Sequence, residues 1–250
     1  MVCSMGGFQL MEPVMTNLSV VSRRNVFGTL ACGCVAAAGL GSRPARAASP
    51  LAKTSLSAEE ALAKLKAGNA AFVAGGACIP AGGPVPISTL SAGQAPFAVV
   101  LGCSDSRTPP EHVFTTGLGE LFIIRVAGNT ADTTAIGSIE YAVAVLGAPL
   151  VMVMGHSQCG AVEAAGEVIS VGTQFPGFIG DMVQPIVPAV LRARRDGHML
   201  LDDAVRANVE DVAAHIARAS ELVAEAISAN KLRVVGGVYN LANGKVDFLA

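Results

Sequence analysis

Three short apolar runs constrain the fold of this chain more than any other feature of its sequence. They occupy residues 97–101, 121–126 and 150–154, and a single arginine interrupts the second. Such runs are typical of strands buried on both faces of a parallel sheet. Residues 132–146, between the second and third runs, have the periodicity of a helix. The alternation predicts an α/β fold with a mostly parallel central sheet flanked by helices.

Other segments carry the signals of helices, a loop and a final pair of strands. Ser57 and Glu60 have the spacing of a capping box, and apolar residues follow at helical intervals, which predicts a helix over 58–74. Residues 75–96 are rich in Gly and Pro, which predicts a linker or wrapping loop. Farther along, the pattern predicts helices over 180–195 and 202–229, strands over 232–238 and 245–249, and a turn at Asn243-Gly244.

The N-terminal residues have the organisation of an export signal. The pair Arg23-Arg24 lies in a stretch that resembles a twin-arginine (Tat) motif, a weakly apolar run covers 26–40, and Ala45-Arg46-Ala47 matches an A-x-A cleavage site. The apolar run is shorter than the roughly 18–20 residues of a membrane span. We therefore expect cleavage near Ala47, a periplasmic or otherwise exported protein, and no stable membrane insertion after cleavage. An organellar transit peptide is the alternative, since the segment is poor in acidic residues.

These boundaries divide the chain into three parts, and its charge excludes one class of partner. The parts are a signal peptide at 1–47, a helical arm with its Gly/Pro-rich loop at 48–96, and an α/β core at 97–250. Seventeen Lys and Arg against 19 Asp and Glu give a formal net charge of −2. Because nucleic-acid binding needs a basic surplus, we expect no nucleic-acid partner.

Two short motifs follow the first and third apolar runs. Cys103 stands directly after the first run, and His156 and Cys159 stand after the third. Ligands of parallel α/β sheets lie at the carboxyl ends of the strands, so these side chains are expected to converge. Two thiolates and one imidazole suit Zn²⁺, and three protein ligands leave a fourth position open, as in catalytic sites. A redox pair of the two cysteines, or plain packing of buried thiols, is the alternative at this point.

The spacing of these residues resembles a known enzyme family. C-x-D-x-R at 103–107 with H-x-x-C at 156–159 is similar to the β-class carbonic anhydrases. The similarity covers about 57–249, nearly all of the predicted mature chain. It extends to further stretches: Gln94-Ala95-Pro96, 119–129, 138–142, 235–239 and 244–246.

The resemblance implies a reaction and a set of residues for it. Cys103, His156 and Cys159 would hold one Zn²⁺ per chain, and zinc-bound hydroxide would hydrate CO₂ reversibly to bicarbonate and a proton. Asp105 would accept the hydroxide proton, while Arg107 forks two N–H bonds onto the Asp105 carboxylate and keeps it ionised. Because two thiolates cancel the zinc charge formally, we expect a weaker Lewis acid than zinc held by three histidines, and therefore better activity at alkaline pH.

The resemblance also implies substrate contacts and an assembly. Gln94 would donate its amide N–H to a substrate oxygen, with help from the Gly160 N–H. The pocket would lie at an interface of a homodimer or homotetramer, with the N-terminal arm wrapped around the partner. Val100 stands where some members carry Trp in a bicarbonate regulatory site, so we expect weak or absent bicarbonate cooperativity.

Three other functions are compatible with the same residues. One is a zinc hydrolase of the same fold that acts on CS₂ or COS. The metal ligands do not distinguish it from a carbonic anhydrase, because access to the pocket decides which substrate enters. A non-catalytic, zinc-stabilised binding protein would not need the Asp105–Arg107 pair. A redox protein would use Cys103 and Cys159 as a disulfide pair.

Overall fold

The sheet at the centre of the computed structural model has five strands. The structure describes residues 53–75, 87–197 and 200–249. The strand order is β2-β1-β3-β4-β5, in which β1 to β4 are parallel and β5 is antiparallel to β4. The predicted α/β fold with a mostly parallel sheet is thus confirmed. The strands are β1 (Ala98–Gly102), β2 (Leu121–Arg125), β3 (Leu150–His156), β4 (Arg233–Tyr239) and β5 (Val246–Leu249).

Helices cover both faces of this sheet. A 3₁₀ turn at Ala127–Asn129 follows β2, a π-helical turn at Tyr141–Val145 follows α4, and a 3₁₀ turn at Gln184–Ile186 joins α6 to α7. The α-helices are α1 (Ala58–Val73), α2 (Ile87–Leu90), α3 (Pro110–Val113), α4 (Thr133–Glu140), α5 (Gly160–Val171), α6 (Ile179–Val183), α7 (Val187–Arg195), α8 (Leu201–Ala219) and α9 (Glu221–Ser228).

The helical arm begins as the capping box predicts. The Glu60 N–H donates to Ser57 Oγ at 3.2 Å, and the Ser57 N–H donates to a Glu60 carboxylate oxygen at 2.8 Å. Both bonds satisfy donors that a helix N-terminus otherwise leaves free. The short helix α2 lies in the segment predicted as a loop.

Two long predicted helices are broken in the structure. The segment 180–195 forms α6, a 3₁₀ turn and α7, because Pro185 and Pro188 lack the N–H that a continuous helix needs. The segment 202–229 forms α8 and α9, separated at Ser220, whose backbone is extended. The Ser220 hydroxyl caps α9 by accepting from the Val223 N–H, and it donates to Glu140 at 2.6 Å.

The alternation of side chains along the central strands divides the core in two. Val100 and Met152 pack on the face covered by α1, and Val99 and Val153 pack on the face covered by α4 and α8. Both β1 and β3 are buried along their whole length. A fully buried strand pair therefore supports the turns at its carboxyl end.

The predicted signal peptide at 1–47 lies outside the described residues, as does the part of the Gly/Pro-rich loop from 76 to 86. Within the part of the chain that is described, none of the helices has the length and apolar character needed to cross a membrane.

Candidate metal centre

Three potential metal ligands meet at the carboxyl end of β1 and β3. Because these strands pair in parallel with Gly102 opposite Met154, the residues that follow them emerge at the same edge of the sheet. Cys103 follows β1, His156 ends β3, and Cys159 lies directly before α5. Their ligand atoms lie within 4.8 Å of one another, and all three residues are buried. The predicted convergence of these side chains is therefore present.

Close packing at the end of β3 and one left-handed residue shape the chain between β3 and α5. A Cβ at Gly155 would lie 2.5 Å from Val209 Cγ2, so glycine allows α8 to pack close beside His156. Gln158 has a left-handed backbone with φ 56°, which turns the chain so that Cys159 forms the N-cap of α5. These constraints place an imidazole and a thiol of one short turn on the same side.

The hydrogen bond of His156 fixes which ring nitrogen is free. Nδ1 lies 2.9 Å from the Ser157 carbonyl oxygen, so Nδ1 carries the proton and donates. Nε2 therefore carries a free lone pair, although it is buried and has no hydrogen-bond partner among the described residues. A buried acceptor without a partner, beside two sulfur atoms, fits a metal ligand.

The two thiols influence each other's ionisation. A hydrogen bond between them lowers the pKa of Cys103 and raises that of Cys159, since a proton held by one sulfur stabilises the thiolate on the other. Burial opposes ionisation of both thiols, so it partly offsets the lowering of the pKa at Cys103 and adds to the rise at Cys159. A divalent cation would replace this shared proton and allow both sulfurs to be thiolates.

Asp105 and Arg107 form the ion pair expected from their spacing. Arg107 Nε donates to Asp105 Oδ1 at 2.9 Å, and Arg107 Nη2 donates to Oδ2 at 2.7 Å. The Arg107 guanidinium holds the pKa of Asp105 well below its usual range, so the carboxylate is ionised at neutral pH. Asp105 Oδ2 lies 3.9 Å from His156 Nε2, so the carboxylate also faces the metal centre.

Arg125 contributes to the site, although it lies outside the two motifs that predict the metal ligands. It is the last residue of β2, and its Nε donates to the Cys103 carbonyl oxygen at 2.8 Å. Its Nη2 donates to the Asp105 carbonyl oxygen. Arg125 thus ties the loop that carries both residues to the neighbouring strand. The signal in the sequence was a lone charge in the apolar run 121–126.

The two predicted substrate contacts lie in different places. Gly160 is the first residue of α5, adjacent to the ligand Cys159. Gln94 precedes the amino end of β1 and lines a surface cavity of about 240 Å³ with Leu118 and Glu120. Since Cys103 follows the carboxyl end of the same strand, the structure does not bring Gln94 to the metal centre of its own chain.

Fold and site together define a class of protein: an α/β protein with a Cys–His–Cys cluster that could hold a metal ion and an ionised Asp–Arg pair at the carboxyl edge of its sheet. The family model described as carbonic anhydrase matches residues 98–246. The chain belongs to the carbonic anhydrase family, and solved β-class carbonic anhydrases superpose on it.

Relatives in bacteria and eukaryotes support this membership. Carbonic anhydrase 2 of Mycobacterium tuberculosis is 42% identical over 181 residues, which cover 72% of this chain and 87% of the relative. A carbonic anhydrase of Mycolicibacterium smegmatis is 40% identical over 183 residues, covering 73% and 89%. One of two tetrameric β-carbonic anhydrases of Sordaria macrospora superposes with a TM-score of 0.58 at 26% identity, covering 66% of this chain and 85% of that one.

A second solved structure gives the same answer. The Coccomyxa β-carbonic anhydrase, solved in complex with acetazolamide, superposes with a TM-score of 0.57 at 29% identity. The superposed residues make up 65% of this chain and 75% of the Coccomyxa chain. The comparisons confirm the predicted family and its enzyme class, a carbonate dehydratase of the lyases, and they do not favour the CS₂ or COS alternative.

Proposed function

We propose that this chain is a zinc enzyme that catalyses the reversible hydration of CO₂ to bicarbonate and a proton. The observation that carries the proposal is the cluster of Cys103, His156 and Cys159, whose ligand atoms lie within 4.8 Å beside an ionised carboxylate. Family membership supports the same reaction.

The donor set favours zinc over the hard cations. Two sulfurs and one imidazole nitrogen suit Zn²⁺, whereas Mg²⁺ and Ca²⁺ take oxygen ligands. Three protein ligands leave one tetrahedral position open. When bound, zinc supplies Lewis acidity and lowers the pKa of a water molecule. We expect one zinc ion per chain.

Asp105 is the residue that we propose to handle the proton. Its pKa is low, so its carboxylate is an acceptor over the whole neutral range. Oδ2 faces the metal centre at 3.9 Å from His156 Nε2, where it can accept a hydrogen bond from a water molecule of the site and orient it toward CO₂. Arg107 holds both carboxylate oxygens, which fixes that orientation.

The substrate contacts in this proposal come from two places. The Gly160 N–H lies in the first turn of α5, where backbone donors are free to bind a substrate oxygen. Gln94 lies at the opposite end of β1, so its contact with substrate requires a second copy of the chain. The tetrameric Sordaria structures support a homodimer or homotetramer.

Export remains a proposal that rests on the sequence. The Arg23-Arg24 motif and the Ala45-Arg46-Ala47 site support a Tat signal and a periplasmic or otherwise exported enzyme. An oxidising compartment would favour a disulfide between two thiols this close, and metal loading before export would prevent it. Replacing both arginines by lysine should retain the protein in the cytoplasm, and secretion of that variant would contradict the proposal.

The test of the proposed function combines metal analysis with a rate measurement. The purified full chain should contain about one zinc per chain and hydrate CO₂ rapidly in a stopped-flow assay, with rates that rise toward alkaline pH. Removal of zinc by a chelator should abolish the activity, and added zinc should restore it. Zinc without CO₂ hydration at any pH would instead favour CS₂ or COS as substrate. A protein that never binds zinc would favour the redox interpretation.

A further inference from the structure

A buried asparagine in the middle of α8 has no part in the function described above. Asn208 is 1% exposed, and the helix around it buries Val205, Val209 and Val212. Its Nδ2 donates to the Gly128 carbonyl oxygen at 2.8 Å, across a separation of 80 residues. A polar side chain in an apolar helix face is costly unless it is hydrogen-bonded, so this single contact explains why the asparagine can be buried.

The turn that Asn208 contacts has a conformation that few sequences adopt. Gly128 and Asn129 are consecutive residues with positive φ, 69° and 48°. A Cβ at Gly128 would lie 2.5 Å from Ile186 Cδ1 and 3.2 Å from Ala161 Cβ, so the turn is held between two side chains. Glycine adopts a left-handed conformation freely, but for a residue with a side chain, here Asn129, that conformation costs free energy and persists where the surrounding structure enforces it. Asn208 supplies part of that enforcement and satisfies the buried carbonyl.

The orientation of this turn matters for the metal centre. The Gly128 N–H donates to Cys103 Sγ, with N and S 3.3 Å apart. An N–H bond to a thiolate draws charge away from the sulfur and fixes its position. Partners of this kind around metal ligands tune the affinity for the metal.

We infer that Asn208 is a positioning residue of the metal centre: by holding the Gly128 carbonyl, it aims the Gly128 N–H at the Cys103 sulfur. The effect runs from α8 through the 127–129 turn to Cys103, the residue that follows β1, and the hydrogen bond of Asn208 goes to the turn and not to a ligand side chain. This inference rests on the proposed function in one respect, namely that Cys103 binds a metal.

Two hydrogen bonds can be measured in the wild-type protein. The full chain is loaded with ¹¹³Cd²⁺, a thiolate-binding probe with a magnetic nucleus. The Gly128 amide proton should show scalar coupling to ¹¹³Cd through Cys103 Sγ, and Asn208 Nδ2 should couple to the Gly128 carbonyl carbon. Absence of either coupling in the loaded protein overturns the inference. Failure to bind Cd²⁺ would overturn the proposed metal centre itself, which is a different result.

Variants then test the consequence for the metal. Asn208→Leu, which is similar in size but has no hydrogen-bond donor, and Asn208→Ala should each raise the Kd for zinc about 10–100-fold. In the Co²⁺-loaded protein, the thiolate charge-transfer band should move to longer wavelength, because a sulfur without its N–H bond holds its electrons less tightly. Val212→Ala is the matched control, since it truncates a buried side chain of the same helix without removing a hydrogen bond.

A purely structural role for Asn208 gives a different pattern. All three variants would then lose stability while the zinc Kd and the Co²⁺ band stayed at wild-type values, and that result overturns the inference. If neither Asn208 variant folds, the two couplings in the wild-type protein decide the question.

Discussion

Substitution of Asp105 by Asn should separate catalysis from stability. The change is isosteric, but it removes the negative charge. It also places the amide NH₂ group of Asn against a guanidinium N–H of Arg107, so that two donors face each other. The contacts at stake are bonds of 2.7 Å and 2.9 Å from the guanidinium and one of 2.9 Å from the Arg107 N–H. The Arg107 side chain is 52% exposed and can turn to water when the carboxylate charge is lost.

The structure sets the size of both effects. Ion pairs with this exposure contribute about 0–1 kcal/mol, so the melting temperature should fall by no more than about 2–4 °C. Loss of a positioned proton acceptor costs about 10²–10⁴-fold in rate. Because Arg107 lowers the pKa of Asp105, the wild-type carboxylate is ionised throughout the neutral and alkaline range. The rate ratio between wild type and variant should therefore be the same from about pH 6 to about pH 9.

The assay is stopped-flow CO₂ hydration, with zinc content and thermal unfolding measured on the same samples. Asp211→Asn is the matched control, because Asp211 also pairs with an arginine, Arg192 at 3.0 Å. That ion pair is separate from the Asp105–Arg107 pair. The control variant should keep wild-type activity. Loss of zinc from the Asp105→Asn variant, a melting temperature many degrees lower, or retention of the wild-type rate would each contradict this prediction.

Three further predictions concern other contacts. Arg125→Met removes two hydrogen bonds to the carbonyl oxygens of Cys103 and Asp105, and it should lower zinc affinity about 10–100-fold in a chelator competition. An unchanged affinity would show that the loop keeps its conformation without these bonds. Burial opposes ionisation of Glu120, but bonds from Lys64 and a backbone N–H outweigh it and lower its pKa. The stability difference between wild type and Glu120→Gln, from urea unfolding, should be present above about pH 5 and vanish as the pH falls below about 4, and a pH-independent difference would contradict this sign. Gly155→Ala places a Cβ 2.5 Å from Val209 Cγ2 and should cost about 1–3 kcal/mol; Val209→Ala in the same chain should recover part of that loss, and strict additivity would refute the contact.

Much of the fold was predictable from local pattern. The central strands were found because a strand buried on both faces must be apolar along its whole length, and the start of α1 was found because Ser57 and Glu60 satisfy each other's donors. The predicted helices over 180–195 and 202–229 were wrong in their continuity. The apolar periodicity of the side chains continues through Pro185 and Ser220, whereas the α-helical backbone is interrupted at both residues.

The sequence by itself determined the chemistry of the site: two thiols, one imidazole and an Asp–Arg pair at the ends of parallel strands, because side-chain type and strand topology are both written in the order of residues. Only the tertiary structure decided which atoms support those groups. Arg125 reaches the Cys103 carbonyl across 22 residues and Asn208 reaches Gly128 across 80, and Gln94 lies before the amino end of β1, away from the ligands. The physical reason is that local pattern specifies which backbone forms, whereas hydrogen bonds between distant segments depend on how the packed elements approach one another.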